Sequence, residues 1–299
     1  MRFNPWGLAA AALALSTGLA CAQDKPAELK IGISTFTSGA ASVFGVPAKA
    51  AAELLIDEID LILKQINVHT RVTFADLSRL TNVSEDTIRR DLNELAAEAR
   101  IIKVRGGAMV STYHPSARLN DVYAHDSKQS IAEKALRLLR DDMLILIGGG
   151  TTVREFIKII PDSLRATFFT VNPFTAMELA EKANLETILI GGKISPFSQM
   201  TVGGEVIQKL ADIKADLCIL GTNALDPKEG LTDSDWETVQ VKKAMFKSAQ
   251  RTAILAISEK LNSSMRLKIV DLREISYLIT ELEPNDPFLT PYTEGVEIW

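Results

Sequence analysis

Cysteine is almost absent, with only Cys21 and Cys218 in 299 residues, so no disulfide framework organises the chain. Histidine is nearly as scarce: His69, His114 and His125 are scattered, share no metal-ligand spacing, and predict no metal site and no cofactor of that kind. An excess of positive charge is also missing. The 33 Lys and Arg against 38 Asp and Glu leave a net charge of −5, which excludes a global basic coat and confines any nucleic-acid contact to a local patch. After the first residues no long apolar run occurs, so no membrane-spanning segment is expected. A 46% hydrophobic and 24% charged composition excludes both a disordered tail and a membrane bundle. At this length the chain can hold two domains with their own cores.

The N-terminus reads as a leader. Arg2 supplies a positive start, Gly7 to Leu15 an apolar run, and Ala20-Cys21-Ala22 small residues two apart, the pattern of a secretory signal over residues 1–22. Leu29-Lys30-Ile31-Gly32-Ile33 then alternates like a strand, and Ala48 to Ile56 is strongly helical. With its leader, this stretch resembles the start of a periplasmic solute-binding protein of the branched-chain amino-acid type. The resemblance covers residues 1–60, and one strand plus one helix cannot close a two-lobed cleft. Residues 23–60 are therefore a fragment.

The pattern changes at Leu61, and residues 61–110 form the only net-positive block, with eight basic side chains against six acidic ones. Leu61, Ile62, Leu63 and Ile66 sit on a short helix, and a second helix is predicted over about Phe74 to Thr81. Asn82-Val83 make a turn, and Ser84 is a good N-cap for a third helix, with Glu85 and Asp86 where the dipole favours acids. Ile88, Leu92, Leu95 and Ala99 form one apolar stripe. Arg90 points away from that stripe, with Thr87 and Arg89 towards its two sides. Such a helix is shaped for a major groove, while Lys103 and Arg105, on a strand and turn ending in Gly106-Gly107, suit phosphate or the minor groove. The strings Val72-Thr73-Phe74-Ala75-Asp76-Leu77, Val83 to Leu92 (with Thr87-Ile88-Arg89-Arg90-Asp91-Leu92) and Arg105-Gly106-Gly107-Ala108 closely resemble the DeoR family of bacterial transcription regulators. The resemblance implies a winged helix-turn-helix over residues 61–112 that binds double-stranded operator DNA, with Ser84, Thr87, Arg89, Arg90, Lys103 and Arg105 at the DNA. Where that family carries basic side chains, this chain has Asp57, Glu58 and Asp60, which predicts a weakened grip.

After a linker at 113–124, residues 125–299 alternate strand and helix. Strands are expected at Met143–Ile147, Thr167–Val171, Thr187–Ile190, Leu217–Leu220, Thr252–Ala256 and Tyr277–Thr280, and helices at Ser127–Leu139 and Val239–Ala249. Wholly apolar strands of this kind belong to a buried parallel sheet, hence a doubly wound α/β domain. Ligands of such sheets bind beyond the strands' carboxyl ends. Gly148-Gly149-Gly150-Thr151-Thr152 stands there and opens a helix, a credible phosphate cradle, and Asn172 and Gly191-Gly192 face the same rim. Together with Gly230-Leu231-Thr232-Asp233, Val241-Lys242, Met245 and Lys260, these segments resemble the DeoR effector domain. That resemblance implies a fold of the sugar-phosphate isomerase-like type and an effector site built from Gly149, Gly150, Thr151, Thr152, Asn172, Gly192, Lys242 and Lys260. Its effector would be a phosphorylated sugar or related metabolite.

The leading expectation is a regulator of carbohydrate metabolism, usually a repressor in this family, acting as a dimer or tetramer because one winged helix buries too little surface for a tight operator. Two alternatives stand beside it. One is a sugar-phosphate isomerase-like enzyme using Asp233, Asp235 or Glu237 as general base. The other is a non-functional fusion bearing a solute-binding leader. An export signal conflicts with the cytoplasmic location that a DNA regulator needs.

Overall fold

The computed structural model describes residues 58–69, 71–98, 100–110 and 123–299. The expected leader, nearly all of the solute-binding fragment (Asp57 included), Ala99 and most of the linker lie outside the described residues.

Residues 58–69 form helix α1 and run without a break through the expected junction at Asp60-Leu61. Strand β1 (Arg71–Thr73), α2 (Phe74–Thr81), α3 (Glu85–Ala97), β2 (Ile101–Val104) and β3 (Gly107–Val110) follow. Local chemistry sets each boundary. The Thr73 hydroxyl accepts from the Asp76 amide at 3.0 Å and starts α2, whose end is turned by Asn82 in the left-handed region. The Ser84 hydroxyl accepts from the Thr87 amide at 3.2 Å and starts α3, as expected of an N-cap serine. Ile62, Ile66, Val72, Leu77, Ile88, Leu92, Leu95 and Ile101 close one core. β3 pairs antiparallel with both β1 and β2. The result is a three-helix winged unit. β1, which supplies the third strand, carries no periodicity of its own and was not expected.

The second domain begins with α4 (His125–Leu136), β4 (Leu144–Ile147), α5 (Thr151–Ile159), β5 (Ala166–Thr170), α6 (Pro173–Ala180) and β6 (Leu185–Leu189). A short hairpin, β7 (Lys193–Ile194) and β8 (Thr201–Val202), leads to α7 (Gly204–Ala211) and β9 (Ala215–Gly221). Then come β10 (Ala224–Asp226), β11 (Gly230–Asp233), α8 (Trp236–Lys247), β12 (Ala249–Leu255), β13 (Leu267–Val270), β14 (Tyr277–Ile279) and β15 (Glu297–Ile298).

Seven strands make one sheet in the order β15-β14-β12-β9-β4-β5-β6, parallel at every pairing. Its strands alternate between two cores. On β4, Leu146 faces the side covered by α7 and α8, while Ile145 and Ile147 face that of α4 and α5; on β9, Cys218 and Leu220 divide likewise from Leu217 and Ile219. Burial on both faces is why these strands read as unbroken apolar runs. All six expected strands are present within a few residues. The seventh, β15, is two residues long, and the antiparallel β10-β11-β13 sheet was not expected because neither has an apolar run to announce it.

The chain winds outward in both directions from β4 and β9, through β5 and β6 on one side and through β12, β14 and β15 on the other. The switch point therefore lies between the carboxyl ends of β4 and β9, where a crevice opens in such sheets.

Candidate functional site

The crevice is lined by the Gly148–Thr152 loop after β4, by Leu220 to Asn223 after β9, and by Asn172, Asp233, Thr238, Lys242 and Lys260, and it holds about 100 Å³ open to the centres of water-sized molecules. That is room for a small organic anion rather than for one or two waters. Gly150 adopts φ 113° at the N-cap of α5, a conformation open essentially to glycine alone. With no side chain there, the first amides of α5 are presented to the cleft, where an anion is favoured. Gly149 is required by close approach instead, since an added Cβ would stand 2.3 Å from Asn172 Nδ2. Asn172 spends its Oδ1 on capping α6, accepting from the Thr175 amide at 3.0 Å.

The cations face this loop. Lys260 is 6% exposed and donates from Nζ to the Thr222 carbonyl at 2.7 Å. Burial, then the nearby Lys128 and Lys242 charges, pull its pKa down to about 7. Lys242 Nζ lies 2.6 Å from the buried Asp233 carboxylate. Burial acts to raise the Asp233 pKa, but Lys242, the Ser234 amide and Asn223 Nδ2 outweigh it and hold the carboxyl below its ordinary value.

Of the predicted effector residues, Gly149, Gly150, Thr151, Thr152, Asn172, Lys242 and Lys260 come together here. Gly192 does not: its α-carbon packs against α7, where an added Cβ would meet Val206 at 2.5 Å. Sequence reasoning missed Thr222 and Asn223, which lie just past a strand with no motif, and Phe197 and Ser198 in the β7–β8 connection. It also missed Arg71, which reaches this cleft from the winged unit.

The isomerase reading fares poorly on geometry. Asp235 is occupied as the cap of α8, accepting from the Thr238 amide at 2.9 Å, and Glu237 pairs with Lys193 at 3.3 Å. Only Asp233 lines the cleft, held as a carboxylate by Lys242, and so acidified it is a weak base.

On the winged unit, Arg89, Arg90, Lys103 and Arg105 are exposed and Thr87 is half-buried. The Arg89 guanidinium rests 4.8 Å from the Phe74 ring centre, and Lys103 Nζ donates to Asn93 Oδ1 on α3. The Lys103 contact thus ties β2 to α3. Glu58, expected to weaken the grip, is half-buried beside Asp91 of α3. Asp60 is exposed.

The family model described as the DeoR-like helix-turn-helix domain matches residues 59–113, and that of the DeoR C terminal sensor domain matches residues 123–282. The chain belongs to the DeoR family. Its relatives are regulators rather than enzymes. The HTH-type transcriptional repressor GlcR of Bacillus subtilis is 32% identical over 76% of this DeoR chain and 88% of its own length. The L-fucose operon activator of Escherichia coli is 29% identical, over 78% and 95%. Among solved structures, eIF2B delta from Chaetomium thermophilum aligns over 55% of this chain and 58% of its own at 18% identity and a TM-score of 0.40. Ribose 5-phosphate isomerase A from Methanocaldococcus jannaschii aligns over 46% and 55% at 17% and 0.35. This chain thus spans little more than half of those two structures. The winged unit implies DNA binding and the sensor domain a small-molecule effector. Among the described residues no helix is long and apolar enough to cross a membrane, and no group of three His, Cys, Asp or Glu could hold a metal ion.

Proposed function

We propose that this DeoR-family regulator represses genes of carbohydrate metabolism, and that a phosphorylated sugar in the β4–β9 crevice changes its grip on operator DNA. The observation that carries this reading is the Gly149–Thr152 loop, at a helix N-terminus on the switch point and opposite Lys242 and Lys260. Backbone amides, two hydroxyls and two ammonium groups suit a phosphate monoester. Ser84, Thr87, Arg89 and Arg90 would meet base edges and nearby phosphates, with Lys103 and Arg105 on the backbone or minor groove. Two or more copies would hold paired half-sites. This role belongs in the cytoplasm, so the leader of residues 1–22 and the fragment 23–60 would be a fused appendage that does not direct export.

DNA fragments selected from a random pool by the purified protein serve as operators in gel shifts with pentose and hexose phosphates. The expected result is that one sugar phosphate alters the shift. Thr152→Val should keep DNA binding and lose that response, while Arg90→Ala should lose about 1–3 kcal/mol of DNA binding and keep the ligand. A DNA complex indifferent to every sugar phosphate overturns the effector reading. Fractionation with intact mass tests the compartment: a periplasmic product shortened after Ala22 overturns it.

A further inference from the structure

The turn that joins β7 to β8, Ser195 to Met200, walls part of the crevice: Phe197, Ser198 and Met200 line it together with the Gly149–Thr152 loop. Its own backbone and one side chain lock it. The Ser195 hydroxyl accepts from the Phe197 amide at 3.1 Å and from the Ser198 amide at 3.3 Å. The Gln199 amide donates to the Ser195 carbonyl, and the Ser195 amide to the Met200 carbonyl, each at 2.9 Å. The turn is also fixed to the rim that carries Asn172, because the Thr201 amide donates to the Val171 carbonyl at 2.7 Å and Thr201 Oγ1 donates to the Ile190 carbonyl at 2.6 Å. The winged unit rests on the same turn: Arg71 Nη1 donates to the Pro196 carbonyl at 2.7 Å, and its guanidinium lies 3.9 Å from the Phe197 ring centre.

Within this locked turn the Ser198 side chain is idle. Its Oγ is closed off from water and has no hydrogen-bond partner, although a buried hydroxyl is costly to leave unpaired. The turn does not need it: Ser198 takes part through its amide, which alanine would supply equally well. Gln199, the next residue, adopts φ 55°, a left-handed conformation uncommon for a residue with a side chain, and strain of this kind gathers at ligand walls. A serine hydroxyl donates and accepts and turns on a single bond. The group that suits it is another hydroxyl, on a ligand seated in the crevice.

We propose that Ser198 is a specificity-determining contact to a hydroxyl of the phosphorylated ligand. The Gly149–Thr152 loop takes the phosphate, and the β7–β8 turn reads the polyol attached to it. This rests on the reading of the cleft as a phosphate site, and it deepens that reading by naming the wall that meets the sugar. A site whose polar group is paired only in the complex rejects a ligand that lacks the matching hydroxyl. Phosphate alone would leave Ser198 unpaired, so the ligand class is a hydroxylated phosphate ester and not a bare anion.

Wild type and Ser198→Ala, each as the full chain, are titrated calorimetrically with pentose and hexose phosphates and with inorganic phosphate, and the ligand-free Tm of each is measured. Ser198→Ala should bind the tightest sugar phosphate about fivefold more weakly, the loss of one neutral hydrogen bond, and should bind inorganic phosphate as wild type does. Its ligand-free Tm should equal or exceed that of wild type, because no hydrogen bond is lost on substitution. Equal affinity of the two proteins for the sugar phosphate, an equal fall in affinity for inorganic phosphate, or a lower ligand-free Tm overturns the proposal and leaves the phosphate site standing. Failure of wild type to bind any sugar phosphate overturns the phosphate reading, and this inference with it.

Discussion

A lysine with 6% exposure beside two other ammonium groups titrates unlike one on the surface. Lys260 faces Lys128 and Lys242, which oppose its charge, and Asp233, which favours it; with burial acting first, the balance leaves it at about 7. An incoming phosphate dianion favours the ammonium, so binding must draw a proton onto Lys260 wherever it is partly neutral. Ligand affinity should therefore fall from pH 7 to 9, and calorimetry in two buffers of different ionisation enthalpy should show proton uptake. Lys260→Met should bind more weakly and without that uptake. No uptake in wild type would remove Lys260 from the site. Stability moves the other way. The folded pKa lies below the unfolded one, so the unfolded chain holds more protons between about pH 7 and 10.5, and Lys260's burden on the fold lifts as pH rises through that window. A second residue-scale prediction concerns Asp91. Burial, then Glu58 and Glu94, push its carboxyl up. Glu58→Gln removes one like charge and should stabilise the winged unit by about 0.5 kcal/mol at neutral pH, read as a small rise in Tm. A fall in Tm would mean that Glu58 makes a favourable contact instead.

The elements show why some of the site was legible and some was not. Ser84 before an acidic first turn, the Ile88-Leu92-Leu95 stripe and the five apolar strands β4, β5, β9, β12 and β14 state their structure locally, because capping and burial act over a few residues. Gly149 to Thr152 could be named in advance because a glycine-rich run follows an apolar strand and opens a helix, and the strand order then places that loop at the switch point. Gly192 looked equivalent, following a strand just as Gly150 does. Its strand, β6, is the far edge of the sheet, and the chain there turns to pack on α7 rather than into the crevice. Phe197, Asn223 and Arg71 reach the cleft through contacts far apart in sequence, which no window reveals. The Gly150 turn gives this scale its prediction. Nothing lies within 4 Å of a Cβ added at Gly150, so Gly150→Ala meets no clash and its cost is backbone strain alone. A loss of about 1–3 kcal/mol is expected in chemical denaturation, together with loss of sugar-phosphate binding as the amides of α5 turn away. An unchanged Tm would mean the loop relaxes to a helical φ.

For the whole molecule, the question is what holds the DNA-binding domain in one pose against the sensor. Arg71 is one tie, and polar groups supply the others. Ser234 Oγ donates to Asp76 Oδ2 at 2.7 Å, beside the Thr73 hydroxyl that donates to the same oxygen at 2.6 Å. Ser234 in turn gives its amide to Asp233, the partner of Lys242 in the cleft, so the start of α2 is connected to the β4–β9 crevice by hydrogen bonds. At the end of α1, His69 Nδ1 lies 2.6 Å from the Asn223 carbonyl, another wall of the same cleft. Because a carbonyl only accepts, Nδ1 carries the proton, and burial, against the help of that carbonyl, depresses the His69 pKa to about 4. The sign follows from proton counting: between about 6.5 and 4 the unfolded chain is protonated at His69 and the packed one is not. Stability conferred by the neutral ring is therefore full above about 6.5 and is lost as pH falls towards 4, by on the order of 3 kcal/mol in all. His69→Gln keeps a donor for Asn223 and cannot titrate. Wild type should accordingly lose Tm more steeply than His69→Gln between pH 6.5 and 4, although carboxylates titrate in both. Exchange protection in α1 and at Asn223 should fall with it, since the ring must leave the interface to accept its proton. Parallel Tm curves for the two proteins would show that His69 leaves the interface at little cost, and the pose of the DNA-binding domain would then rest on its other ties, among them Arg71, Asp76 and the Arg79 contact with the Ser264 carbonyl.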